Sequence, residues 1–310
     1  MSQIPPEYSR YEKVVTVACC NFNAAWGEKE KNLAKIEAMS KTAASMGANI
    51  IAFPELALSG YECESESGCG DNGMHRAMAE SVPGPSTQAV AELAKQLDVY
   101  VIFGMPERDP TDSKKIYIAA SVIGPERILG TYRKLHLAPP PIWTEANCFV
   151  GGAQGMREIP VFETRYGPVG VSICYDFWMF PEIARIHMLK GARILFNCTA
   201  SAAAPGPQPQ PHMTHTTLAR ATENLAFTVS ANLAGKDRTK IFYGTSTIAG
   251  PHFPRLAHIY AQGSTAEEIV IATLNFEMLH RWRSLIPVPE EQRKYSLSLI
   301  IKEFTRLAAN

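Results

Sequence analysis

VVTVACCNFNAAWGEKEKNLAKIEAMSKTAASMGANIIAF, residues 14–53, sets two apolar runs on either side of a stretch with a different period. The first run, residues 14–22, is rich in valine and almost free of charge, which predicts a strand. Leu33, Ile36, Met39, Ala43 and Met46 then recur at three- and four-residue steps up to Gly47, as one face of a helix does. NIIAF closes the unit as a second short strand. Strands that are apolar along their length and alternate with helices need cover on both faces, so this stretch predicts an α/β fold with sheets sheathed by helices.

The same alternation continues along the chain. Val90, Leu93, Ala94 and Leu97 mark a helix face introduced by Gly84, Pro85 and Ser86, and VYVIFGM follows as a strand. IYIAASVIGPERILGTYRKLHL predicts a hairpin turning at Gly124–Pro125. PVGVSIC leads into a helix opened by Pro181–Glu182, ARILFNC is the next strand, a helix surrounds Leu218 to Leu225, and AFTVSAN ends another cycle. The proline-rich stretches at 139–141 and 205–211 fall between elements of one pattern and are expected to be surface loops. Without a repeat or a linker, the expectation is one domain over 1–310, with a core from about 14 to 275 and a C-terminal extension over 276–310.

Composition narrows the partners. Of 310 residues 46% are hydrophobic and 19% charged, an ordinary folded composition. Thirty basic and thirty acidic side chains cancel, which removes the electrostatic case for nucleic acid or an anionic membrane and leaves a small molecule as the expected partner. No apolar run reaches the roughly 18 residues of a membrane span, and MSQIPPEYSRYEK lacks the apolar core of a signal peptide. A cytoplasmic location is therefore expected. In a reducing compartment the seven cysteines would remain thiols, with no disulfide framework.

Three reactive residues end apolar strands: Glu55 after NIIAFP, Lys134 after TYR, and Cys174 after VGVSI. Ligands gather at the carboxyl ends of strands in α/β sheets, where residues distant in sequence converge. A carboxylate that takes a thiol proton, a thiol, and an ammonium that steadies negative charge on an attacked carbonyl together make a catalyst. Each residue alone has a plainer reading. A cysteine at a strand end is commonly a small core hydrophobe, as expected of Cys19, Cys20 and Cys198. Glu55 could be a helix-start anion and Lys134 a solvated charge. His212 and His215 have a ligand-like step and Cys63 and Cys69 flank a glycine-rich loop, but no paired cysteine motif accompanies them, so no metal is expected.

AFPELALSGY, YRKLHL and GVSICYDFWMFPEIAR, in that order, resemble the three signature segments of the nitrilase superfamily of carbon–nitrogen hydrolases. RATENLAFTVSANLAG and FYGTSTIAGP are similar to its later segments. The resemblance implies a four-layer αββα sandwich, pairing into homodimers or larger homo-oligomers, and catalysis without a cofactor. It casts Glu55 as general base, Lys134 as transition-state lysine and Cys174 as nucleophile. Glu145, in PIWTEANCF, would be the second glutamate that orients the lysine and substrate, and the Tyr175 amide would complete an oxyanion site with Lys134. Lys134 is expected to lower the thiol pKa from about 8.5.

Tyr61, Tyr175, Phe177, Trp178 and Asn197 are the candidate substrate contacts. The implied reaction is hydrolysis of a small neutral or apolar carboxamide, with an N-carbamoyl amidohydrolase as the alternative and a nitrilase or a non-catalytic member behind it. Nitrilases usually carry Trp-Glu after the cysteine, where this chain has Tyr175-Asp176. Relatives also place the Pro-Glu pair one residue nearer the cysteine, so the turn that follows Cys174 is expected to be reshaped.

Overall fold

The computed structural model describes residues 4–70, 72–140, 143–202 and 212–309. The 205–211 loop and Pro141 therefore lie outside the described residues. The first half of the chain supplies β1 (Val14–Asn21), β2 (Ile50–Ala52), β3 (Tyr100–Arg108), β4 (Ile116–Ile123) and β5 (Ile128–Arg133). The second supplies β6 (Val161–Phe162), β7 (Val169–Ile173), β8 (Ile194–Thr199), β9 (Phe227–Asn232), β10 (Ala234–Asp237), β11 (Lys240–Tyr243), β12 (Thr247–His252), β13 (Arg255–Gln262) and β14 (Glu268–Asn275).

Two six-stranded mixed sheets result, in the orders β14-β1-β2-β3-β4-β5 and β13-β12-β9-β8-β7-β6. Each has three parallel strands at its centre, β1, β2 and β3 in one and β7, β8 and β9 in the other, with antiparallel neighbours outside. The sheets face one another through β1 against β9 and β4 and β5 against β7. Helices Lys29–Ser45 and Pro85–Leu97 cover the outside of the first sheet, and Pro181–Leu189 and His212–Asn224 cover the second. The molecule is thus an α/β sandwich of two mixed sheets flanked by helices. The space between the sheets is filled by Val17, Ile50 and Ile102 from the first and by Val171, Phe196 and Val229 from the second, none of which retains exposed surface.

The start and stop signals read from the sequence lie at observed helix ends: Pro85 and Pro181 stand at first helical positions, and Gly47 follows the helix that ends at Ser45 with φ +91°. Several elements carried no readable signal. Helix Tyr175–Met179 has five residues, too few for a period to show. The β10–β11 hairpin and the helices Phe276–Leu285 and Leu297–Ala308 were not anticipated. Phe276 and Leu279 are fully buried in the main core, so packing runs past residue 275.

One expectation is corrected. Cys69 and Cys148 form a disulfide, with Cα atoms 4.5 Å apart. They are separated by 79 residues, and only the fold brings the segment after Tyr61 against the turn after Glu145. Cys19, Cys20 and Cys198 are buried thiols in the core, as expected. Among the described residues no helix is long and apolar enough to cross a membrane.

Candidate active site

Three strand ends deliver the reactive side chains. After β2, Phe53 and Pro54 lead to Glu55, whose backbone lies so close to Gly104 on β3 that a Cβ there would meet Pro54 O and Leu56 N at 2.4 Å. Lys134 directly follows β5, and its N–H donates to Ile118 O at 2.8 Å. Strand alternation sends the neighbouring Arg133 the other way, where it donates to both carboxylate oxygens of Glu107 at 2.7 and 2.9 Å. Cys174 follows β7 with φ 48° and ψ −104°, a conformation unusual outside glycine. Two acceptors hold it there: its N–H is shared by Asn197 Oδ1 at 2.9 Å and Cys198 O at 3.0 Å. The short helix that starts after it leaves the Tyr175 N–H at a first helical position, where no intrahelical acceptor exists.

Lys134 is the hub. Its Nζ donates to Glu55 Oε1 and to Glu145 Oε1, both at 2.7 Å, and all three side chains are fully buried. Glu145 is pinned in turn by the Ala138 N–H, at 2.8 Å to Oε2, and by the Tyr61 hydroxyl, which donates to Oε1. Burial works against the Lys134 charge, but Glu145 and Glu55 outweigh it and hold the group well above its ordinary pKa. Burial pushes Glu55 up to about 7, with Lys134 pulling down and Glu145 pushing up. Its second oxygen, Oε2, is buried without a hydrogen-bond partner among the described residues, and the Cys174 thiol bears on the same carboxylate.

Cys174 departs from the expected thiolate. Burial and the Glu55 charge raise it to about 12, more than Lys134 lowers it. Burial thus favours the thiol over the thiolate, with the Glu55 carboxyl group next to it as the acceptor for its proton.

A further acid ties these parts together. Asp176, fully buried, accepts from Tyr132 Oη at 2.7 Å and Leu135 N at 2.8 Å through Oδ2, and from His136 N at 2.9 Å and His136 Nδ1 at 2.8 Å through Oδ1. It thereby joins the turn after the nucleophile to the residues on either side of Lys134. The sequence offered one cue, an acid two positions past the cysteine, without showing what it would hold. Asp176→Asn turns two of those four donors toward an amide NH₂ that cannot accept. At about 1–3 kcal/mol for each unpaired buried donor, a loss of roughly 2–6 kcal/mol of stability is expected in urea unfolding, together with a lower kcat.

The candidate substrate contacts separate by position. Tyr61 is 1% exposed and holds Glu145, with its ring edge-on to Trp143 and Phe242. Asp237, at the end of β10, accepts the Tyr61 N–H, so the hairpin fixes that residue. Asn197 is buried and holds the Cys174 backbone, with Nδ2 donating to Ser230 Oγ. Phe177 packs in a second core cluster with Leu195, Met213 and Ala226. Tyr175 is half-buried, and Trp178 and Cys174 lie together against that second cluster. Tyr243 joins them there and carried no signal in the sequence beyond its place in a matched stretch.

The family model for carbon–nitrogen hydrolases matches residues 16–284. The chain is 32% identical over 272 residues to a nitrilase of Pyrococcus abyssi, covering 87% of this chain and 93% of that protein. It is 30% identical over 288 residues to omega-amidase NIT2 of Danio rerio, covering 88% and 93%, and 31% identical over 287 residues to N-carbamoylputrescine amidase of Solanum lycopersicum, covering 87% and 90%. Among solved structures, Saccharomyces cerevisiae Nit3, a member of branch 10 of the nitrilase superfamily, superposes with a TM-score of 0.76 at 23% identity over 93% of this chain and 99% of that one. A mutant of the amidase from Nesterenkonia sp. AN1 in complex with acrylamide gives 0.70 at 20% identity over 90% and 95%.

Proposed function

The chain belongs to the carbon–nitrogen hydrolase family, and on that premise we propose that it is a cysteine-dependent amidase releasing ammonia from a small neutral carboxamide through a thioester. The observation that carries this reading is the buried Lys134 ammonium shared at 2.7 Å by Glu55 and Glu145, with the Cys174 thiol bearing on the same Glu55 carboxylate. As Cys174 Sγ attacks the amide carbon, Glu55 takes the S–H proton and the carbonyl electrons move to oxygen. Lys134 and the Tyr175 N–H stabilise that oxyanion. Collapse expels ammonia, which carries away the proton from Glu55 and leaves the thioester. Water then gives a proton to Glu55 and attacks the thioester carbon. The second collapse releases the acid, and the departing sulfur recovers its proton from Glu55.

Neutral substrates are favoured over anionic N-carbamoyl amino acids by the surroundings of the turn after Cys174. Phe177-Trp178-Met179-Phe180 offers no cation. The guanidinium packed against it, that of Arg220, is committed to Phe177 O, Trp178 O and Glu223 at 3.0 Å each. A carboxylate placed against these side chains would lose hydration without gaining a charged partner. Ammonia release from a panel of amides, ureides and nitriles tests the reading. A neutral carboxamide should exceed an N-carbamoyl amino acid of similar size at least about tenfold in kcat/KM, about 1.4 kcal/mol of transition-state preference. A tenfold advantage for the anionic substrate would overturn it.

A further inference from the structure

Two hydrogen-bond donors beside the nucleophile have nothing to donate to. Trp178, in the short helix after Cys174, and Tyr243, the last residue of β11, are 8% and 4% exposed. Both belong to the cluster against which Cys174 packs, and the thiol bears electrostatically on the Tyr243 hydroxyl. Trp178 Nε1 and Tyr243 Oη are buried with no hydrogen-bond partner among the described residues. Ser201 acts on the Tyr243 hydroxyl as a hydrogen-bonding neighbour, but the pair falls outside hydrogen-bond geometry, and the Ser201 hydroxyl pairs with Thr199 Oγ1 at 3.3 Å. The His212 ring meets both aromatic rings edge-on, at 5.7 Å from Trp178 and 6.5 Å from Tyr243.

Buried donors are nearly always paired, because leaving one unmade costs about 1–3 kcal/mol. Two such donors in one cluster, next to a nucleophile, point to an acceptor that arrives with the ligand. Slack packing does not account for the orphaned indole. Its own backbone is held by the buried Arg220, which fixes the Phe177 and Trp178 carbonyls at 3.0 Å. The donors are also uncharged. Burial pushes Tyr243 up to about 12 and lowers His212, in each case toward the neutral form. The matching ligand group is an acceptor oxygen, and an uncharged one fits best, because the Arg220 guanidinium beside the cluster is already committed to Phe177 O, Trp178 O and Glu223 and a carboxylate would be buried without a counter-charge.

We infer that Trp178 and Tyr243 form an acyl subsite that selects carboxamides carrying a second, uncharged acceptor oxygen, such as a ketone or ether, on the acyl chain. This rests on the amidase reading of Cys174 and sharpens its substrate class. A site built to hydrogen-bond a substrate group discriminates against the analogue lacking it, because the site's own polar groups then stay unpaired.

The test compares pentanamide, 3-oxopentanamide, 4-oxopentanamide and the anionic succinamate, by ammonia release and by calorimetric binding to Cys174→Ala. One oxo-amide should exceed both pentanamide and succinamate by about 10- to 100-fold in kcat/KM, the scale of one or two buried hydrogen bonds. The same order should hold in Kd. In Trp178→Phe and in Tyr243→Phe, each of which removes one donor and keeps a ring, the ratio of oxo-amide to pentanamide should fall about tenfold. Ammonia release from all four amides without an oxo preference, a preference that survives in both variants, or succinamate as the best substrate would overturn the subsite and leave the amidase standing. Oxo-selective binding to Cys174→Ala with no ammonia from any amide would support the subsite and overturn the amidase reading.

Discussion

Cys174→Ala is expected to abolish turnover while the protein stays folded. The change removes one sulfur from a half-buried position whose backbone is held independently by Asn197 and the Cys198 carbonyl. On the proposed thioester mechanism, losing the nucleophile costs on the order of 10⁶-fold in kcat, because the acyl intermediate forms on that sulfur. Mass spectrometry of the unaltered protein under turnover should find an acyl adduct on Cys174. An adduct on Cys198 or Cys63 instead, or full activity in Cys174→Ala, would sink the assignment. Circular dichroism and an unchanged unfolding midpoint would show that the loss is chemical.

The second large effect is expected at Lys134. Lys134→Ala removes an oxyanion donor, worth about 10²- to 10³-fold in kcat, and also takes the counterion from two fully buried carboxylates. Breaking a buried ion pair from one side costs about 3–5 kcal/mol, so lower stability should accompany lower activity. Glu55→Gln should be at least as damaging to kcat, because both half-reactions pass a proton through that carboxylate. A chelator should leave activity unchanged.

The pH profile separates these roles. Glu55 acts as base only when ionised, and burial holds it at about 7, so kcat/KM should rise with pH through that value. Lys134 lowers the Glu55 pKa and Glu145 raises it. The acid limb should therefore move to higher pH in Lys134→Ala and to lower pH in Glu145→Gln, where a negative charge has been removed. Limbs that stay in place in both variants would mean that another group controls the profile.

Much of this protein was legible before folding. Residues 14–53 specify strand, helix and strand because burial on one side of a helix and on both sides of a strand imposes periods of different length on the chain. Pro85 and Pro181 marked helix starts because proline has no N–H to lose at a first turn. Glu55, Lys134 and Cys174 stood out because polar groups are costly in apolar strands unless something uses them. What the one-dimensional pattern could not contain is distance. The pairing of Cys69 with Cys148 and the sharing of Lys134 between Glu55 and Glu145 join segments that leave different strands of the first sheet, and the four bonds to Asp176 join residues that only the packing of the second sheet against the first brings within reach. The charge state of Cys174 was likewise decided there. Sequence shows that an ammonium and a carboxylate are available, but the balance between them depends on burial, and burial favours the thiol. Tyr243 and Trp178 come together for the same reason: β11 and the helix after β7 meet only because tertiary packing carries the hairpin over the carboxyl ends of the second sheet's strands.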